Sequence, residues 1–204
     1  MPTPRLDVSL SKANRQLDRL ISYVSATNNL PAPHQYLIAE IIMLRAFAIL
    51  DETSKEIALK LTCGALYING QAPQLAISAK SMSGAETILR SHARNKPIQY
   101  LKFTNAFFLK QSVKRVISEQ DPYVRNALFH SNVFDEMRKV RNFIAHRSPS
   151  SRQDYKGVIY STYNLNLQIL VGPFLVSRSR HNIANLSRYL ISIKVILSDL
   201  IKGT

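Results

Sequence analysis

Residues 125–146 read RNALFHSNVFDEMRKVRNFIAH. The second half of this stretch decides the fold class, because its apolar side chains recur at helical rather than strand spacing. At about 100° per residue, Val133, Met137, Val140 and Ile144 fall in one narrow stripe. Such a stripe faces a core. Arg138, Arg141, Asn142, Ala145 and His146 share the arc roughly opposite, where small Ala145 leaves room between the polar groups. The stretch also holds one pattern twice: Arg-Asn, three further residues, then His, as RNALFH (125–130) and RNFIAH (141–146). Spacing alone does not separate the copies, but context does. Asp121-Pro122 supplies the cap and first residue of a helix, and Ser131 or Asn132 caps another. The first copy therefore ends at a helix junction, where Leu128 and Phe129 are expected to draw His130 toward packing.

Working outward, the chain reads as all-α. Leu10, Leu17, Leu20, Ile21 and Val24 mark a first helix over 9–27, closed by Asn28, Asn29 and Pro31. A long second helix covers 34–62, with Leu37, Ile41, Leu44 and Ala48 toward the core and Arg45, Glu52 and Glu56 on another face. Glycines, Pro73 and small polar residues make 63–84 a connector. Helices resume at 84–95 and 99–118. The latter interleaves Tyr100, Phe103, Phe107 and Phe108 with Lys102, Lys110 and Lys114, and at this spacing the aromatics are read as core. RSPSSRQD (147–154) is expected to be a polar loop, because Pro149 disfavours helix at the residue before it. VIYSTYNLNLQILV (158–171), rich in β-branched and aromatic residues, is expected to form a small β-hairpin before a last helix over 180–202. At 204 residues the chain is expected to be a single helical domain, 1–204.

Twenty-seven Lys and Arg against thirteen Asp and Glu give a net charge of +14. That excess favours a polyanionic partner, nucleic acid before an acidic membrane face. Its distribution is uneven: no acid occurs between Glu86 and Glu119, nor between Asp154 and Asp199. Cys63 is the single cysteine, so no intrachain disulfide forms. The start, MPTPRLDVSL, lacks the apolar run of a signal peptide, and the long apolar stretches are broken by charges or Pro173. A soluble, cytoplasmic protein without a membrane span is expected. There is no phosphate-binding glycine loop, no His-Glu-x-x-His and no Cys/His ligand spacing, so neither a metal nor a nucleotide cofactor is expected.

RNFIAH is the copy suited to phosphate chemistry. Arginine forks onto phosphate oxygens, Asn orients, and His exchanges protons near neutral pH. Late in a helical chain, ahead of a polar segment and one last helix, Arg141-Asn142-Phe143-Ile144-Ala145-His146 resembles the signature of the HEPN superfamily: Arg, a polar residue, a short spacer, His. The likeness to its stand-alone, ribonuclease-like branch covers residues 10 to 200 in the order and kind of elements. It implies an α-helical bundle that forms homodimers and, in many members, cleaves RNA without metal; other members are inactive binders of RNA or nucleotide. Arg141 and His146 match the two fixed positions and Asn142 the polar one. Some members regulated by nucleotidyltransferase antitoxins carry a Tyr two residues after the His. Ser148 stands there instead, against that mode of control.

The resulting expectation is a metal-independent endoribonuclease, a toxin or defence effector under an antitoxin or other regulatory partner. In it the 2′-hydroxyl of RNA attacks the adjacent phosphate. His146 acts as acid or base, Arg141 clamps the phosphate, Asn142 donates an orienting hydrogen bond, and Arg138, Arg147 and Arg152 hold the backbone. One His does not readily serve both proton roles, which a homodimer with two copies of the motif in one cleft resolves. The alternative is a non-catalytic RNA-binding or partner-regulating helical module.

Overall fold

The computed structural model describes residues 4–178 and 182–204. Among them the chain forms helices and no strand; the only β-type pairing is a single antiparallel bridge between Leu75 and Ile117. In order the helices are α1 (Leu6–Ala26), α2 (Ala32–Thr62), α3 (Met82–Ser91), α4 (Ala106–Val113), α5 (Pro122–Phe129), α6 (Ser131–His146), α7 (Pro149–Tyr163), α8 (Val171–Val176) and α9 (Asn185–Asp199). The residues group into two compact units. The first comprises Met1–Asn14, Leu50–Phe134 and Val195–Thr204, and the second Arg15–Ile49 and Asp135–Lys194.

In the first unit, Leu50, Ile57 and Leu61 of α2, Leu89 of α3 and Leu109 of α4 are buried. The connector after α2 is held by polar groups because it has no ladder of its own. Asp121 is fully buried and accepts hydrogen bonds from the Tyr67 hydroxyl, the Tyr123 N–H (3.0 Å) and the Gln74 N–H (2.8 Å). The same carboxylate caps α5, with Pro122 following as its first residue. The helix expected over 99–118 is shorter than its aromatic spacing suggested. Asn105 starts α4 by accepting the Phe108 N–H (2.7 Å), and Ser112 Oγ ties down the irregular segment before it by accepting from Lys102 N and donating to Lys102 O. Phe103 is buried as expected, whereas Tyr100 and Phe107 are exposed.

In the second unit, α7 takes up most of the expected loop at 147–154 and the first part of the hairpin expected at 158–171, the rest of which is irregular up to α8. Ser148 caps it by accepting the Ser151 N–H, and Pro149 occupies the first turn, where its missing N–H costs nothing. Tyr155, Val158 and Ile159 lie three and four residues apart and are buried together. Burial of that stripe overrides the β preference of the individual side chains. Asn164, in the left-handed region at φ 58°, ends the helix. Residues 165–170 lead irregularly into α8, which approaches α2 so closely that Gly172 leaves no room for a Cβ against Tyr36.

The stripe expected on α2 is rotated from the observed one. Ala39, Ile42, Met43, Ala46 and Phe47 are buried, whereas Leu37 and Ile41 are 59% and 56% exposed. On α6 the expected stripe is largely right: Met137 and Val140 are buried with Phe134, and Val133 and Ile144 half-buried. Glu136 ties α6 to α9 by accepting from Arg188 and from the Tyr189 hydroxyl, both at 2.5 Å. The last helix begins at Asn185 rather than 180; Arg180 lies outside the described residues. No helix among the described residues is long and apolar enough to cross a membrane.

Candidate nucleic-acid site

RNFIAH forms the last turn and a half of α6, with Met137 and Val140 buried behind it. The helix stops at His146 because Arg147 turns to φ 47°, a conformation that a non-glycine residue adopts only at some cost. Ser148 then caps α7, so the C-terminal turn of α6 and the N-terminal turn of α7 are joined through two residues. Arg141 and Asn142 are half-buried and joined by a 3.1 Å hydrogen bond from Arg141 Nη1 to Asn142 Oδ1. Asn142 is four residues before His146 and therefore its neighbour on the helix surface. His146 is exposed, and among the described residues its ring makes no hydrogen bond or ion pair.

The three arginines expected to hold RNA backbone differ in their freedom. Arg138 is committed to Asp135, donating from Nε (3.0 Å) and Nη2 (2.8 Å), while Lys139 takes the other carboxylate oxygen. Burial would raise the Asp135 carboxyl, but Lys139 and Arg138 outweigh it and hold the group below the ordinary carboxylate range. Arg147 makes one long contact, 3.4 Å, to Glu40 of α2. Arg152 is exposed on the first turns of α7. Arg147 and Arg152 come together around a small pocket of about 230 Å³, joined by Lys156, one turn beyond Arg152. Lys156 falls between the loop expected over 147–154 and the hairpin expected over 158–171, so the sequence pattern does not pair it with Arg152; on helix α7 the two share a face.

The first copy is placed differently. His130 caps the C-terminus of α5, its side chain is 13% exposed, and Nε2 lies 2.8 Å from Asp199 Oδ2. Asn126 of the same copy donates to the Asp199 carbonyl (2.7 Å). Burial would raise the Asp199 carboxyl; hydrogen bonds and charge from Lys202 and His130 outweigh this and leave it lowered. Leu128 and Phe129 do not pull the turn into packing as expected: both are exposed, Phe129 at 83%. The ring that turns inward is His130 itself, drawn by a carboxylate rather than by its apolar neighbours.

An exposed imidazole one helical turn from an amide that a guanidinium contacts, followed in the chain by Arg147 and the cations that line a pocket with it, combines a proton-exchanging group with groups that bind oxyanions. No group of three or more His, Cys, Asp or Glu among the described residues is placed to share a metal ion. No protein-family model, curated protein or solved structure matches the chain.

Proposed function

We propose that the chain is a metal-independent endoribonuclease of HEPN type. The observation that carries this reading is the exposed, unengaged His146 at the end of α6, one turn from Asn142, which Arg141 contacts, and followed by Arg147, which lines a pocket with Arg152 and Lys156. In the reaction, the 2′-oxygen attacks phosphorus as a base removes its proton. The bond from phosphorus to the 5′-oxygen breaks as an acid protonates the leaving oxygen. The products are a 2′,3′-cyclic phosphate and a 5′-hydroxyl. Arg141 neutralises charge on the non-bridging oxygens, and Asn142 orients the guanidinium.

Two proton roles and one motif histidine per chain make the site a shared one, completed by a second copy of the protein. Leu37 and Ile41 support this arrangement. They form an exposed apolar strip beside Glu40, the residue that meets Arg147, so the strip borders the end of α6. Burying it in a two-fold interface would bring two copies of His146 toward one cleft.

A non-catalytic RNA-binding module is the second reading. What favours it is that His146 has no described partner to fix its tautomer, as catalytic histidines usually have. Incubation with unlabelled RNA in EDTA separates the two. Fragments ending in cyclic phosphate support the enzyme; intact RNA under all conditions supports the module. Cleavage abolished by EDTA and restored by Mg²⁺ overturns the metal-independent mechanism.

A further inference from the structure

One turn of α6 from His146 lies a second, larger pocket of about 430 Å³, within the range typical of small-molecule sites. Phe143, Tyr155, Ile159 and Leu170 give it apolar and aromatic walls, and Arg152 and Lys156 stand at it as well. Those two cations also line the smaller pocket with Arg147, so the two depressions share a cationic border. No carboxylate lines either among the described residues, although Arg147 contacts Glu40 and Asp154 lies between Gln153 and Tyr155 on α7.

The walls are fixed before any ligand arrives. Phe143 is stacked on Tyr155, with ring centroids 4.8 Å apart and planes at 18°. Tyr155 in turn packs edge-on against Phe174, and its hydroxyl donates to the Ile169 carbonyl (3.1 Å), fastening the segment that closes the pocket. The far end of α8 is held by Asn185, which donates to the Phe174 carbonyl (2.9 Å). Tyr155 is buried in that stack, so half-buried Phe143 is the ring left to offer a face, and an aromatic wall beside two cations matches the two halves of a nucleotide: a planar base with a π-face, and a phosphate.

We propose that this pocket receives the base of one unstacked ribonucleotide, while Arg152, Lys156 and Arg147 hold its phosphate. The proposal rests on the reading that RNFIAH acts on RNA, and makes the pocket the subsite that positions the strand against His146. Gln168 at the pocket carries both donors and acceptors, so it is the side chain able to distinguish one base edge from another. A plain anion site would use the cations and leave the apolar and aromatic wall without a role.

The test is calorimetric titration of the His146→Ala protein, in which cleavage does not complicate binding. The probes are the four ribonucleoside 3′-monophosphates, ribose 5-phosphate and inorganic phosphate. At least one nucleotide should bind tenfold or more tightly than either base-free probe. Leu170→Asp should weaken that nucleotide at least tenfold. Leu170 is 75% exposed and caps α8 without a side-chain hydrogen bond, a position where Asp is well tolerated, so this variant folds. Arg152→Ala combined with Lys156→Ala should weaken nucleotides and phosphate together. Equal affinity for phosphate and nucleotides, no nucleotide binding, or binding indifferent to Leu170→Asp each overturns the pocket. If the parent protein nevertheless cleaves RNA, only the pocket falls; nucleotide binding without any cleavage leaves the pocket and removes the nuclease reading.

Discussion

Replacing His130 and His146 in turn should separate a histidine that holds the fold from one presented to a ligand. His130 Nε2 meets Asp199 Oδ2 at 2.8 Å with its side chain 13% exposed, joining the end of α5 to the end of α9. A hydrogen bond to a charged group contributes about 1.5–3 kcal/mol. Asp199 keeps Lys202 at 2.6 Å when the imidazole is removed, so the carboxylate is not stranded and the loss falls at the low end, about 1.5–2 kcal/mol. For a chain of this length that lowers Tm by roughly 3–8 °C. His146 is exposed and unpartnered among the described residues, so His146→Ala should stay within about 0.5 kcal/mol, or under roughly 2 °C. Thermal and urea melts followed by far-ultraviolet circular dichroism and by tyrosine fluorescence measure both, and two probes reveal whether the two units unfold together. An Asp199→Asn change should be partly redundant with His130→Ala, since both break one contact. Destabilisation by His146→Ala as large as that by His130→Ala, or a melt unmoved by His130→Ala, would refute this division of roles.

Acid should weaken the fold. Asp199, Asp135, Glu56 and Glu86 all titrate below their ordinary range, each held there by nearby cations, so the stability they confer is complete above the unfolded carboxylate values and is lost as pH falls through the folded ones. The urea midpoint should therefore be flat from about pH 7 to 5 and fall below about pH 4; a midpoint that rises on acidification contradicts this. Gly172→Ala places a Cβ 2.4 Å from that of Tyr36 and 2.9 Å from its Cα, so it should cost about 1–3 kcal/mol, read as a lowered melting temperature with helical content retained. Leu37→Glu combined with Ile41→Glu should convert a dimer of about twice 23.1 kDa to a monomer in light scattering without loss of helicity; a parent protein already monomeric and active removes the shared-site proposal.

The sequence revealed helices wherever caps and period agreed. Asp121-Pro122 and the α6 stripe are the clearest cases, and the structure reproduces both. Pro149 was misleading because proline carries two signals: it ends a helix before it and opens one at its own position. With Ser148 ahead of it the second signal wins, as Asp121 ahead of Pro122 already illustrated. The α2 stripe was ambiguous for a different reason. Residues 37–50 are apolar on almost every side, so period alone does not choose between Leu37 with Ile41 and Ile42 with Met43. RNFIAH was legible as a presented polar face. The pocket beside it was not, because its walls come from α6, α7 and the 167–170 segment, and two of those three were expected in another secondary structure.

The most direct test of the central claim is cleavage of one RNA in EDTA by four proteins: the parent, His146→Ala, Arg141→Ala and His130→Ala. His146→Ala and Arg141→Ala should lose at least 100-fold with unchanged circular dichroism, consistent with removing a general acid–base or a charge-stabilising group, about 10²–10⁴ in rate. His130→Ala should stay within a few-fold of the parent at a temperature where that variant remains folded. Full activity in His146→Ala, or equal loss in folded His130→Ala, would contradict the assignment of the site to RNFIAH.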